Sequence, residues 1–252
     1  MSSLHISISA EPLFNLFGIS ITNSIVTSWA VTLLILIPII IASRSFKLKG
    51  KLKGSQMFLE VIIEGLYNLV ESIAGSAKAR VFFPLVATFF IYIVPANWSG
   101  LLPGAGSIGF NGIMHGKEVF IPILRGPTAD INATLALALI AMFMVQYYGF
   151  KYQGFKYLKK FFNFSNPINA FVGILELVSE FSKIISFTFR LFGNIFAGEV
   201  LIAVMTFLIP VVAPMPFYAL ELFVGVIQGL VFMMLSTVFM NMATLSHDGG
   251  DH

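Results

Sequence analysis

The sequence predicts an all-α integral membrane protein. It would have five transmembrane helices plus one interfacial amphipathic helix, the last two spans being long, strongly tilted helices that form a hairpin. Three observations predict this. Of the 252 residues, 57% are hydrophobic and only 11% charged, where a soluble domain carries roughly 25% charged residues. Apolar runs of about 20 residues, enough to cross a ~30 Å hydrocarbon core, recur along the chain. The Lys and Arg residues, 15 in all, gather at the ends of those runs.

The whole chain, 1–252, reads as one membrane domain. Residues 1–22 mix apolar and polar types and form an external amphipathic lead-in. Glu11 and Pro12 stand where a secretory leader would place a basic stretch and a short apolar run, so no cleavable signal peptide is expected. Span 1 covers 23–43. Arg44, Lys47, Lys49, Lys51 and Lys53 follow, which makes this loop cytoplasmic by the positive-inside rule.

In 55–76, Glu60, Glu64, Asn68 and Glu71 recur at helical spacing among Phe58, Leu59, Ile62, Ile63, Leu66, Leu69 and Val70. That pattern suits a helix lying on the membrane face. Span 2 covers 82–102, with kinks expected at Pro84 and Pro95. Residues 103–130, rich in Gly and Pro, form an external loop. Span 3 covers 131–150. Lys151, Lys156, Lys159 and Lys160 mark a second cytoplasmic loop. Two spans and one interfacial helix separate the basic loops, so both fall on one side.

No proline interrupts the chain between Pro167 and Pro210. One helix over 167–209 would be ~63 Å long at 1.5 Å per residue, about twice the hydrocarbon thickness. The run 216–246 is ~45 Å by the same arithmetic. These two therefore form a tilted hairpin turning at 210–216. Span parity puts the N-terminus outside and the C-terminus, with His247, Asp248, Asp251 and His252, in the cytoplasm.

Composition excludes several functions. The net charge is only +3, a poor match to nucleic-acid binding. There is no cysteine, so disulfides and thiolate metal sites are impossible. His5, His115, His247 and His252 show no ligand spacing. Gly116-Lys117-Glu118 lacks the glycine spacing and following Ser/Thr of a phosphate loop. No metal, cofactor or bound nucleotide is expected.

The chemistry lies in intramembrane polar residues. Arg190 stands in Phe187-Thr188-Phe189-Arg190-Leu191-Phe192-Gly193-Asn194. A guanidinium keeps its proton at any ordinary pH, and one at the bilayer centre costs at least ~2.5 kcal/mol on insertion scales. Such a charge calls for a carboxylate partner or a water-filled path. On a helix, Asn194 and Ser186 lie about 40° from Arg190, Lys183 about 20° and Glu176 about 40°, forming one polar stripe. Glu199 lies about 180° round and ~13.5 Å along the axis, and Glu180 about 80° round. On the last helix Glu221 and Gln228 share a face, and Gly225 with Gly229 permits close helix approach. Asp130, Asn132 and Thr134 sit at the external end of span 3. The Arg190 face would meet a partner, while Glu199, Glu221, Gln228 and Asp130 would line a wet pocket behind it.

Blander readings stand beside these. Arg190 could be a structural charge, and Glu199 or Glu221 a hydrogen-bonded core group. Glu176, Glu180 and Lys183 could form a solvated interfacial patch, with Lys183 pairing to either carboxylate. Asp130 could simply cap span 3.

Arg190-Leu191-Phe192-Gly193-Asn194, followed by Ala197-Gly198-Glu199, resembles the signature of the subunit a family of the F-type ATP synthase membrane sector, bacterial type. Pro127-Thr128-Ala129-Asp130-Ile131-Asn132 resembles that family's segment ahead of its fourth helix. Gln228 with Leu230-Val231-Phe232-Met233 is similar to its last helix. The resemblance implies five spans and one interfacial helix. The two long helices would curve against a ring of c subunits, with peripheral-stalk b subunits as further partners. It implies that Arg190 faces the ring's ion-carrying carboxylate. Glu199, Asn194, Gln228 and Asp130 match positions of the inlet half-channel, and Ser186 and Glu176 match the outlet side. Glu221 stands where some members carry His. The chain would not be catalytic alone, and a bacterial inner membrane is its expected place. Two other readings compete. A secondary transporter binding an anionic solute through Arg190 would show a broken helix and internal repeats, and neither is visible. A non-conducting anchor would tolerate Arg190→Ala.

Overall fold

A computed structural model of the protein describes residues 10–16, 18–45, 54–102, 108–114, 117–162 and 166–245. Lys47, Lys49, Lys51 and Lys53, all four histidines and the acidic C-terminus lie outside them. The elements, in order, are β1 (Pro12–Leu16), β2 (Ile19–Thr22), α1 (Asn23–Ser45), α2 (Gly54–Gly100), β3 (Gly109–Met114), β4 (Lys117–Pro122), a 3₁₀ turn (Pro127–Ala129), α3 (Ile131–Gln153), α4 (Lys156–Lys159), α5 (Pro167–Leu208) and α6 (Met215–Ala243). Among the described residues five helices, α1, α2, α3, α5 and α6, are long and apolar enough to cross a membrane. The protein is an all-α integral membrane protein, with two small hairpins as its only described sheet.

The chain divides into two compact units. One comprises Met1–Leu48, Phe90–Thr134 and Thr188–Leu230, and the other Lys49–Phe89, Leu135–Phe187 and Val231–His252. In the first unit, β1 and β2 pair antiparallel, with Leu16 opposite Ile19. Gly18 takes φ 84° in the turn, a torsion that glycine adopts without steric cost. The Ile19-Ser20-Ile21-Thr22 alternation is strand-like, so the lead-in is a hairpin here. The expected loop 103–130 likewise holds a hairpin, β3 with β4, in register from Gly109 opposite Pro122 to Met114 opposite Lys117.

Asn23 ties these pieces together at the start of α1. It accepts from the Glu11 backbone N–H at 3.2 Å and donates to the Pro122 carbonyl at 3.1 Å. The end of α2 packs on α6 through glycines. A Cβ on Gly229 would stand 2.8 Å from Val94 Cγ2, and one on Gly225 would stand 3.2 Å from Asn97 Cβ. The close approach expected of Gly225 and Gly229 is therefore made with α2. Asn97 Nδ2 and Trp98 Nε1 clamp it by donating to the Gly225 and Leu222 carbonyls, each at 3.0 Å.

In the second unit, α2 is broken at Gly75, at φ 74° and ψ 160°. That region is essentially restricted to glycine. The break releases carbonyls from the helical ladder, and Asn241 Nδ2 takes that of Ile73 at 2.9 Å. Lys78 Nζ donates to Asn241 Oδ1 at 3.1 Å, and Gln153 Nε2 donates to the Ala243 carbonyl at 2.8 Å. Neither Pro84 nor Pro95 interrupts α2. A proline removes one hydrogen bond but keeps a helical φ, so the helix continues through both.

Candidate functional site

Within the first unit, α5 and α6 build a cavity of about 410 Å³, lined by Asn194, Ala197, Gly198, Leu201, Glu221, Phe223, Val224, Ile227 and Gln228. The reason is local. Asn194, Ala197, Gly198 and Leu201 recur at three- and four-residue spacing, which is one face of α5. Glu221, Val224 and Gln228 do the same on α6. Asn194 Nδ2 donates to Gln228 Oε1 at 2.9 Å. Glu221 and Gln228 are buried. A Cβ on Gly198 would overlap the Glu221 carboxylate, so that glycine makes the room that Glu221 occupies. Arg190 and Asn194 are exposed on α5, beside Phe189 at 56% exposure.

Glu199 faces away from this cavity. Its Oε1 would lie 2.9 Å from a Cβ on Gly100 and 3.1 Å from one on Gly126. Arg125, of opposite charge, and Glu221, of like charge, lie within electrostatic reach of it. Arg125 is held by its backbone N–H, which donates to Thr27 Oγ1 at 3.1 Å, and by Nη2, which donates to the Ala129 carbonyl at 3.4 Å.

Asp130 is buried at the N-cap of α3. Its Oδ1 accepts the Asn132 backbone N–H at 3.0 Å, the bond of a helix cap, and its Oδ2 accepts the Ser24 hydroxyl at 2.6 Å. The pocket expected to hold four groups therefore holds Glu221 and Gln228 with Asn194. Glu199 and Asp130 do not line it. Among the described residues, Asn97 Oδ1 and Thr128 Oγ1 are buried side-chain oxygens without a hydrogen-bond partner.

In the second unit a charged cluster surrounds Glu176 and Glu180 of α5. Lys160 pairs with Glu176 and reaches Glu180 Oε1 at 3.6 Å. Lys183 pairs with Glu180 at 2.8 Å, the i,i+3 choice of the two open to it. Gln146 Nε2 donates to Glu180 Oε2 at 3.0 Å, and the Tyr157 hydroxyl donates to Gln146 Oε1 at 2.8 Å. Two glycines let the segment around α4 lie close. A Cβ on Gly149 would sit 2.7 Å from the Tyr157 ring, and one on Gly173 would sit 2.5 Å from the Phe161 carbonyl oxygen. Burial, then the negative charges of Glu180 and Glu176, push the Tyr157 phenol above its ordinary value of 10.0. It is therefore a neutral donor. Ser186 is exposed on α5.

Sequence reasoning missed Arg125, Lys160, Gln146, Tyr157, Gly100 and Gly126. Lys160 carried a signal that was read only as topology. Arg125 lies in a Gly- and Pro-rich stretch, two residues before Pro127. The others acquire roles only through tertiary contact. No group of three metal-ligating side chains is present among the described residues. Chemically, the first unit offers carboxylates able to accept and release protons and amides able to hydrogen-bond them, with Arg190 exposed on the same helix as Asn194. The second offers two carboxylates held by two lysines.

The model of the ATP synthase A chain family matches residues 25–241. The ATP synthase subunit a of Gloeobacter violaceus is 37% identical over 230 residues, covering 91% of this chain and 86% of that protein.

Proposed function

The chain belongs to the ATP synthase A chain family, and from that premise we propose that it is the proton-channel subunit of the stator in an ATP synthase membrane sector. It provides two offset half-channels that load and unload protons on a rotating ring of c subunits. Peripheral-stalk b subunits hold it still. It catalyses nothing alone and binds no nucleotide. It crosses a bacterial inner membrane several times, with the N-terminus outside and the C-terminus in the cytoplasm.

The cavity that joins Asn194, Glu221 and Gln228 carries the reading. A wet, carboxylate-bearing recess beside an exposed arginine is what proton loading onto a partner requires. Glu199, Glu221, Asn194 and Gln228 serve the inlet, and Asp130 anchors the start of α3 beside Ser24. Ser186, Glu176, Glu180 and Lys183 serve the outlet. Along α5, Arg190 lies between the two sets in sequence.

A rotor carboxylate neutralised at the inlet enters lipid at low cost, whereas its ionised form would pay for burial of a charge. After nearly a full turn it ionises at the outlet. Arg190 attracts that ionised form. Because a guanidinium does not give up its proton, Arg190 also stops protons from passing directly between the half-channels. The membrane potential supplies about 2.3 kcal/mol per charge per 100 mV and sets the direction.

The test is proton-driven ATP synthesis and proton leak in membrane vesicles carrying the native chain or Arg190→Ala. Loss of synthesis with the complex assembled, and added leak, is the expected result. Retained coupled synthesis would remove Arg190 from the mechanism and favour an anchor or a transporter.

A further inference from the structure

We propose that Gly100 and Gly126 form a two-glycine notch that positions the Glu199 carboxylate for proton transfer, an inference that rests on the inlet reading above. Gly100 ends α2 and Gly126 stands just before the 3₁₀ turn. Their backbones touch. A Cβ on Gly100 would lie 3.3 Å from Gly126 Cα, and a Cβ on Gly126 would lie 3.3 Å from Gly100 Cα. Glu199 Oε1 reaches the same place, at 2.9 Å from the first and 3.1 Å from the second.

Neither glycine has a left-handed torsion, so conformational freedom does not explain them. What both positions share is the absence of a side chain where a carboxylate oxygen arrives. The carboxylate is the far end of a flexible side chain, whereas the facing glycine atoms belong to the main chain, at the end of α2 and at the entry to the 3₁₀ turn. A methyl group added on either glycine therefore displaces Glu199 first. Oxygen position matters because proton transfer needs heavy atoms at hydrogen-bond distance. Arg125 arrives on the same stretch, one residue before Gly126, and its charge reaches Glu199. The segment thus supplies both the space for the carboxylate and a positive charge near it. Gly100 and Gly126 are positioning residues, since they act only through Glu199.

The experiment measures ATP-driven proton pumping in inverted vesicles of the assembled complex, with assembly checked by co-purification of the c ring and the ATP-hydrolysing sector. Four chains are compared: Glu199→Gln, Gly100→Ala, Glu199→Asp, and Gly100→Ala with Glu199→Asp. The expected loss for Gly100→Ala is between about tenfold and a hundredfold, the scale of a ~1 Å misplacement. Aspartate is one methylene shorter and withdraws from the notch. In the Glu199→Asp background the added methyl group should therefore cost little further pumping.

Native-like pumping by Gly100→Ala while Glu199→Gln is defective overturns the notch and leaves the inlet reading standing. Native-like pumping by Glu199→Gln overturns the inlet reading and the notch with it. An equal loss from Gly100→Ala in the Glu199 and Asp backgrounds also overturns the notch, because the methyl would then act on structure alone. If Gly100→Ala does not assemble, Gly126→Ala decides by the same comparison. Failure of both to assemble overturns the proposal, since backbone and not carboxylate would be what the methyl meets.

Discussion

Tyr157 is a side chain whose protonation state its surroundings favour in one direction. It is 2% exposed, donates to Gln146, and faces the negative field of Glu180 and Glu176. Burial and the negative charges oppose a phenolate and outweigh the opposing effect of the Gln146 hydrogen bond, so its pKa lies above the ordinary 10.0. The sign of the pH dependence follows. The neutral phenol is the form the fold favours, so its contribution is fully present below pH 10 and is lost only as pH rises through the raised value. Tyr157→Phe should then cost about 1 kcal/mol, the net worth of one hydrogen bond. It should leave the shape of the pumping–pH profile between pH 6 and 9 unchanged. Thermal unfolding of the purified complex measures the first, and pumping rates across that range measure the second. A profile that changes shape would mean that Tyr157 titrates there. This residue was hidden in the sequence because Tyr157 meets Gln146 across the turn after α3, and Glu180 only through a fold contact. Arg190, by contrast, was legible from its immediate neighbours alone, since a fixed charge among Phe and Leu is anomalous in any apolar helix.

At the scale of elements, periodicity and punctuation explain what could be read. The long apolar runs announced α1, α3, α5 and α6. The proline-free stretch before Pro210 announced the length of α5, which holds 42 residues. The hairpins escaped because each is short and sits among Gly and Pro. Such residues mark a loop as readily as a strand end. The pocket was half legible. Helical spacing put Glu221 and Gln228 on one face, but which neighbour closes that face depends on α5, and Glu199 turned instead toward Gly100 and Gly126. Helix α2 yields the sharpest test. Its amphipathic first part and apolar second part are joined at Gly75, whose torsions suit glycine alone. Gly75→Ala should cost about 1–3 kcal/mol, the usual penalty of such a conformation, or drive the segment to straighten. Straightening would pull the Ile73 carbonyl from Asn241. Less assembled complex in membranes and faster protease cleavage near this position are the expected readings. Normal assembly with native-like protease resistance would show that the break does not need glycine.

For the whole molecule the question is whether a proton can cross this chain without help. The inlet groups proposed here, Glu199, Glu221, Asn194 and Gln228, belong to one unit, and Glu176, Glu180 and Lys183 belong to the other. Among these groups the carboxylates can accept and release protons. The residue that separates the two sets along α5 is Arg190, and a guanidinium does not give up its proton. On the proposed mechanism the missing link is a carboxylate on a moving partner, so this chain is half of a path. Purified and reconstituted alone in liposomes, under a potential of about 100 mV worth ~2.3 kcal/mol per charge, it should pass no more protons than the lipid itself. A pH-sensitive dye inside the vesicles reads the flux. Co-reconstitution with the c ring and the ATP-hydrolysing sector should give proton movement that stops when the rotor is blocked, and Arg190→Ala in that assembly should uncouple the two. A steady, potential-driven proton current through the lone chain would mean that its own side chains connect the two sides. That connection would have to bypass Arg190, and the role of the arginine as the separator would fall with it.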